Sequence, residues 1–361
     1  MAARIGIVGA GNIGRIHAQA AAWAGSTVAA ICDLDPARAE ALAALHPGAA
    51  TMNDVADLLA LDDLDAVVVA VPNHRHREVA VAALESGRDV LLEKPMALSA
   101  AECREIIATM DQARRRVQLG FVCRFAPAAV EAKRLIDEGR LGEVYHIKAF
   151  LYRRRGIPGL GKWFTTRAMS GGGALIDIGV HFIELALHLA GHALPQRVSA
   201  QCVGRFGSPI EGYRFAEMWA GPPDATGVFD VDDGVCGLIR CAGGLTIELN
   251  VTWAVNMPEK TFPEGLVVLG DRGGVYLHLW DNRLVLTTDD GEPLRDTEVP
   301  LSTVPHGSAW DRAWQSEHEH FRRVVEEGAA PGPSANDGLI VQQVVEAMYA
   351  SSDAGREVEI G

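Results

Sequence analysis

Three side chains able to move a proton or steady a charge stand out by their setting. Lys94 follows the run Asp89-Val90-Leu91-Leu92-Glu93 and precedes Pro95, so a cation sits where a buried strand should end. Asp177 and His181 are four positions apart, just after Gly171-Gly172-Gly173. On a helix that spacing puts a carboxylate and an imidazole on one face. Imidazole titrates near neutral pH and an ammonium stabilises developing negative charge, so the set suits base catalysis beside a forming oxyanion. Plainer readings exist for each: Lys94 paired with Glu93, and Asp177 with His181 as a helix-stabilising pair.

A second constellation points to a cofactor. Arg4-Ile5-Gly6-Ile7-Val8 reads as a short strand, Gly9-Ala10-Gly11-Asn12-Ile13-Gly14 follows, and a helical pattern runs on to Ala24. G-x-G-x-x-G alone is a weak pattern. Here it stands between strand and helix, with Asp33 at the end of the next strand, as a dinucleotide requires. Gly9 permits the turn, Gly11 lets a pyrophosphate approach, and Gly14 lets helix and strand pack, with Asn12 and Ile13 at the helix start. Asp33 would accept from the adenosine ribose hydroxyls and repel a 2′-phosphate, which favours NAD. Arg38 nearby keeps NADP as the alternative, and a helix cap is the plain reading of Asp33.

Other groups are read away from metal chemistry. His74 and His76 sit at a helix start, where they diverge, so capping or facing the cofactor suits them better. Glu317-His318-Glu319-His320 reads as a solvated helix face, because consecutive helical residues point apart. No metal site is expected.

The elements that position these residues come in two kinds. Strand and helix alternate over the first third: strands at 4–8, 27–32, 65–71, 89–93 and 117–120, with helices at 36–46, 73–86 and 99–114. This implies a doubly wound parallel sheet over residues 1–120. From Phe121 the pattern changes. A helix at 126–138, a strand at 143–152 and a helical run at 173–189 precede several strands joined by short turns, and two helices near 308–327 and 335–352 lead to a last strand. Residues 121–361 therefore read as an α+β domain with a mostly antiparallel open sheet.

Composition limits the rest. With 361 residues, two domains are the default. A net charge of −14 argues against nucleic acid and anionic membrane as partners. The six cysteines have neither zinc nor disulfide spacing, and with no signal-peptide pattern they suggest a reducing cytoplasm. The longest apolar runs look strand-length, short of a bilayer span.

In combination, Gly9–Gly14, Val67-Val68-Val69-Ala70-Val71-Pro72-Asn73 with His76, Glu93-Lys94-Pro95 and Gly171-Gly172-Gly173-Ala174-Leu175-Ile176-Asp177-Ile178-Gly179-Val180-His181 resemble the glucose–fructose oxidoreductase / inositol dehydrogenase / MocA family. The resemblance spans the first half of the chain in family order. It implies a Rossmann domain, then an α+β domain whose open sheet often builds a homodimer or homotetramer. It also implies hydride transfer at a carbinol carbon of a sugar, cyclitol or related polyol. Lys94, Asp177 and His181 match the family's catalytic positions. Pro72, Asn73, His76, Glu93 and Lys94 are expected beside the cofactor.

Alcohol oxidation needs a hydride acceptor, a base and a cation over the alkoxide. His181 suits the base, Lys94 the cation or a relay, and Asp177 the orientation of His181 or the substrate hydroxyl. Arg124, Tyr152, Trp163 and Phe164 are candidates for substrate contact, the aromatics by stacking on a sugar ring or, equally, as core. Many relatives carry Trp-Arg where this chain has Trp163-Phe164; Arg167 is the nearest replacement. Two other functions share the fold: transient sugar oxidation on a retained NAD, followed by elimination or hydrolysis, and non-catalytic dinucleotide sensing.

Overall fold

A computed structural model describes residues 2–214, 220–258, 264–289, 293–301 and 307–361. The chain divides into two compact units, Met1–Val122 with Asp311–Leu339 and Cys123–Trp310 with Ile340–Gly361.

The first unit opens with β1 (Arg4–Val8), α1 (Asn12–Trp23), β2 (Thr27–Cys32), α2 (Pro36–Ala43), β3 (Ala50–Met52), α3 (Val55–Leu59) and β4 (Ala66–Val69). It continues with α4 (His76–Glu85), β5 (Asp89–Glu93), α5 (Ala100–Ala113) and β6 (Val117–Gly120). The six strands pair in parallel in the order β3-β2-β1-β4-β5-β6. This is the doubly wound order that reverses beside β1, where a dinucleotide crevice forms. All four residues of β4 and all five of β5 are buried, as expected of strands covered on both faces. Sequence patterning missed β3 and α3, which are only three and five residues long.

The second unit contains α6 (Pro127–Asp137), β7 (Val144–Tyr152), α7 (Arg167–Ser170) and α8 (Val180–Leu189). Then come β8 (Pro195–Val203), β9 (Gly234–Cys241), β10 (Thr246–Thr252), β11 (Gly265–Gly270), β12 (Gly273–His278), β13 (Arg283–Thr288) and β14 (Arg295–Glu298). The chain closes with α9 (Ala309–Glu327), α10 (Ala335–Ala354) and β15 (Val358–Glu359). The nine strands run β14-β13-β12-β11-β7-β10-β9-β8-β15, antiparallel except where β7 lies parallel to β10. The stretch Arg167–Leu189 has the length and apolarity of a membrane span, unlike the strand-length runs expected; 83% of its apolar window is buried, as in a core helix.

Two sequence readings change in α9. Residues 311–339 belong with the first unit, whereas a contiguous boundary at residue 120 leaves them in the second domain. Phe321 and Val324 join Ile5, Ile7, Ile31 and Val68 in one core cluster. For the same reason Glu317-His318-Glu319-His320 is not a solvated face. Glu317 and His318 are 0% and 1% exposed, and His320 Nδ1 lies 2.8 Å from Gln118 Oε1. Consecutive helical residues do diverge, but divergence around a packed helix sends some of the four inward.

Candidate active site

The glycine turn is shaped for a phosphate. Gly9 has φ +101°, and a Cβ there would lie 2.3 Å from the Ala70 carbonyl oxygen. A Cβ on Gly14 would lie 1.8 Å from the Gly9 oxygen, so this close approach of helix and turn needs glycine. At Gly11 a Cβ would meet nothing within 4 Å among the described residues, which leaves room for a pyrophosphate against the backbone. No side-chain hydrogen bond caps α1, as suits a helix N-terminus that faces an anion. Asn12 is exposed and Ile13 half-buried at that end.

Asp33 is held in place from the same turn. Its Oδ2 accepts from Ala10 N at 2.7 Å and its Oδ1 from Asp35 N at 2.9 Å. Each carboxylate oxygen keeps a further lone pair for a ribose hydroxyl. The cap of α2 is Asp35, whose side chain accepts from Ala37 N, so the helix-cap reading falls to that residue. Exposed Arg38 pairs with Asp35 at 3.3 Å. These groups fit a dinucleotide.

At the end of β5 the Glu93-Lys94-Pro95 segment is gripped by two buried histidines. His17 of α1, 0% exposed, places Nε2 3.0 Å from Glu93 Oε1. Glu93 Oε2 accepts from the Lys94 backbone N–H at 3.1 Å. A Cβ on Gly120 would lie 2.5 Å from Glu93 Oε1, so the neighbouring strand leaves room for the carboxylate by carrying glycine. His76 lies 2.6 Å from the Pro95 oxygen through Nδ1 and 2.9 Å from the Val71 oxygen through Nε2. Its burial lowers its pKa. His76 therefore ties the ends of β4 and β5 together. Asn73 is buried and Pro72 half-buried at the end of β4, while His74 is exposed. Lys94 itself is half-buried.

In the second unit, the run that carries Asp177 and His181 is fixed at its start by Asp232. The Asp232 carboxylate accepts from Gly173 N (2.8 Å), Leu175 N (2.9 Å) and the Tyr349 hydroxyl (2.7 Å), and its carbonyl accepts from Ala174 N (3.0 Å). Burial, then the Asp232 charge, pushes the Tyr349 phenol well above its ordinary pKa, so it stays a donor. A Cβ on Gly173 would lie 1.7 Å from the Asp232 oxygen, which accounts for the glycine. Leu175–Gly179 winds as a wider π turn before α8, a local form often met at functional sites. Asp177, 9% exposed, accepts at Oδ2 from Trp253 Nε1 at 2.9 Å. His181 is half-buried one turn on.

Sequence reading missed His17, Asp232, Trp253 and Tyr349. For His17 a signal existed: Gly14, His17, Ala18 and Ala21 recur on the buried stripe of α1. The other three carry none, because their partners are distant in sequence.

Several candidate contact residues also have partners within the chain. Arg124, expected at the cofactor–substrate interface, forms an ion pair with Glu184, with Nε 2.8 Å from Oε1 and side-chain exposures of 11% and 1%. Trp163 and Phe164 stack on each other at 3.9 Å. Arg167, the replacement for the missing arginine, lies over the Tyr349 ring at 4.7 Å. Tyr152 is half-buried on β7, and burial raises its pKa.

Comparison with known proteins agrees with this architecture. Residues 3–121 match the oxidoreductase family with an NAD-binding Rossmann fold, and residues 129–276 match the GFO/IDH/MocA C-terminal domain. The chain belongs to the GFO/IDH/MocA family. This GFO/IDH/MocA protein is 30% identical to D-glucoside 3-dehydrogenase of Escherichia coli (strain K12), over 99% of this chain and 97% of the relative. It is 27% identical to inositol 2-dehydrogenase of Rhizobium meliloti (strain 1021), over 100% of each. Levoglucosan dehydrogenase in complex with NADH and levoglucosan shares its fold, with a TM-score of 0.86 at 22% identity over 100% of both chains. Membership makes the protein an NAD-binding oxidoreductase.

Proposed function

We propose that this GFO/IDH/MocA protein is an NAD-dependent dehydrogenase that moves hydride between a ring carbinol carbon of a sugar, glycoside or cyclitol and nicotinamide. Lys94, Asp177 and His181 are its catalytic group. The support comes from the run Gly173–His181: Asp232 fixes its start and Trp253 holds a carboxylate that is 9% exposed, one turn before an imidazole. The D-glucoside and inositol dehydrogenases among its relatives point to the same substrate class.

Bound nicotinamide supplies the hydride acceptor. The chain supplies the rest: His181 takes the hydroxyl proton, Lys94 stabilises the alkoxide, and Asp177 orients the hydroxyl. Asp33 selects NAD by accepting from the ribose hydroxyls and repelling a 2′-phosphate. The protein works in the cytoplasm as a homodimer or homotetramer built through its open sheet.

The test is an NADH-release screen across inositols, hexoses, glycosides and nucleotide sugars. Net NADH with a ring polyol, lost in Lys94→Ala and in His181→Ala, is the expected result. Turnover without net NADH would replace net dehydrogenation with transient oxidation. Full activity in either variant would remove that residue from the catalytic group.

A further inference from the structure

The first unit contains a buried polar chain that reaches Lys94 from behind. His318 Nε2 lies 2.9 Å from His17 Nδ1, His17 Nε2 lies 3.0 Å from Glu93 Oε1, and Glu93 Oε2 accepts from Lys94 N at 3.1 Å. His17 and His318 are 0% and 1% exposed, and Glu93 is 6% exposed. The Trp314 ring closes on His17 edge-to-face at 5.0 Å. Beside them Glu317, 0% exposed, has both carboxyl oxygens without a hydrogen-bond partner among the described residues.

The distances admit a directed proton arrangement. A Glu93 carboxylate accepts only, so this contact needs a proton on His17 Nε2. In a singly protonated His17 ring, Nδ1 is a lone pair and accepts from His318 Nε2–H. The lowered pKa of buried His318 agrees, and so does the strongly raised pKa of buried Glu317, which keeps that carboxyl protonated beside the Glu93 charge.

Ligand atoms of His17, Glu317 and His318 also lie within 4.8 Å of one another, which is the spacing of a metal site. The two facing nitrogens argue for a proton instead. Their 2.9 Å separation is that of an N–H···N bond, whereas two imidazoles on a tetrahedral zinc stand about 3.4 Å apart.

We propose that His17 and His318 are positioning residues for Lys94: they hold the Glu93 carboxylate so that it locks the Lys94 backbone from which the ammonium reaches the substrate. Glu93 fixes the backbone N–H of Lys94, and His76 fixes the carbonyl of Pro95 on the other side. This role rests on the reading of Lys94 as catalytic.

Two measurements test it. In steady-state kinetics with NAD and the polyol found in the screen, His17→Ala should lower kcat by about 10- to 100-fold, as small misplacements of catalytic groups do, with both KM values within about twofold. His17→Gln, whose terminal N–H can reach the same oxygen, should recover most of the loss. A kcat within about threefold of wild type in His17→Ala, or no recovery in a folded His17→Gln, would overturn the proposal. The second measurement needs no activity. In 15N-histidine NMR spectra of the wild-type protein, His17 should be the neutral Nε2–H tautomer, and Glu93→Gln should shift its signal. A charged His17, an Nδ1–H tautomer, or stoichiometric zinc in the purified protein would each overturn the chain. If the wild type oxidises no polyol, the proposed function fails on its own, and the NMR result still decides whether the chain exists.

Discussion

The Trp253 indole N–H donates to Asp177 Oδ2 across 2.9 Å, and the ring that supplies it is fully buried. Trp253 follows β10, the strand parallel to β7, so sheet topology rather than local sequence aims this donor. A Trp253→Phe substitution keeps an aromatic ring and removes the N–H. It should cost about 1–3 kcal/mol in denaturant unfolding, the usual loss when a buried polar group loses its partner. It should also lower kcat more than it raises KM, because Asp177 loses a donor that orients it. Unchanged kcat would mean that the Trp253 bond does not position Asp177 for catalysis.

Asp33 offers a cleaner test of cofactor choice. Asp33→Ser removes the charge that repels a 2′-phosphate and one acceptor for the ribose. NAD affinity should fall about 10-fold or more, on the scale of a lost hydrogen bond to a charged group, while NADP affinity rises. Titration calorimetry with both cofactors reads this directly. Equal affinity of the wild type for NAD and NADP would remove Asp33 as the selector.

Arg124 and Glu184 separate a structural cation from a substrate-binding one. Glu184 is buried, so Arg124→Met takes the guanidinium away from an enclosed carboxylate. The expected loss of stability is about 3–5 kcal/mol, and replacing both partners with apolar residues should recover much of it. KM for the polyol should hold in whatever folded fraction remains. A large rise in KM at near-normal stability would return Arg124 to the substrate.

Glu317 makes stability depend on pH in a definite direction. Its carboxyl pKa is raised in the folded protein by burial, then by the Glu93 charge. Above pH 4.5, its ordinary value, the unfolded chain releases this proton while the folded chain keeps it. The folded state then binds more protons, so this group lowers stability as pH rises through that window. Glu317→Gln removes the effect. Its melting temperature relative to wild type should climb steadily from about pH 5 toward pH 8. A pH-independent difference would mean that Glu317 is ionised in the fold.

The sequence by itself determined the local physics. Buried runs such as Val67–Val69 and Val90–Leu92, the glycines at 9, 11 and 14, and Asp33 at the end of β2 marked a doubly wound dinucleotide-binding unit. They were legible because period, turn chemistry and strand ends are short-range properties. Short turns at 241–244 and 271–273 likewise marked the antiparallel pairing of β9 with β10 and of β11 with β12. The tertiary structure alone decided the contacts between distant residues. It inserted β7 between β10 and β11, returned α9 to the first unit, and turned His318 onto His17, 301 positions away. It also gave Arg124 to Glu184 and set Asp232 at the start of the Asp177 turn. A residue type states what a side chain can donate or accept; which partner it meets depends on packing between elements that no local window contains. Lys94 was visible from its place after a buried strand, and the histidine chain behind it was not.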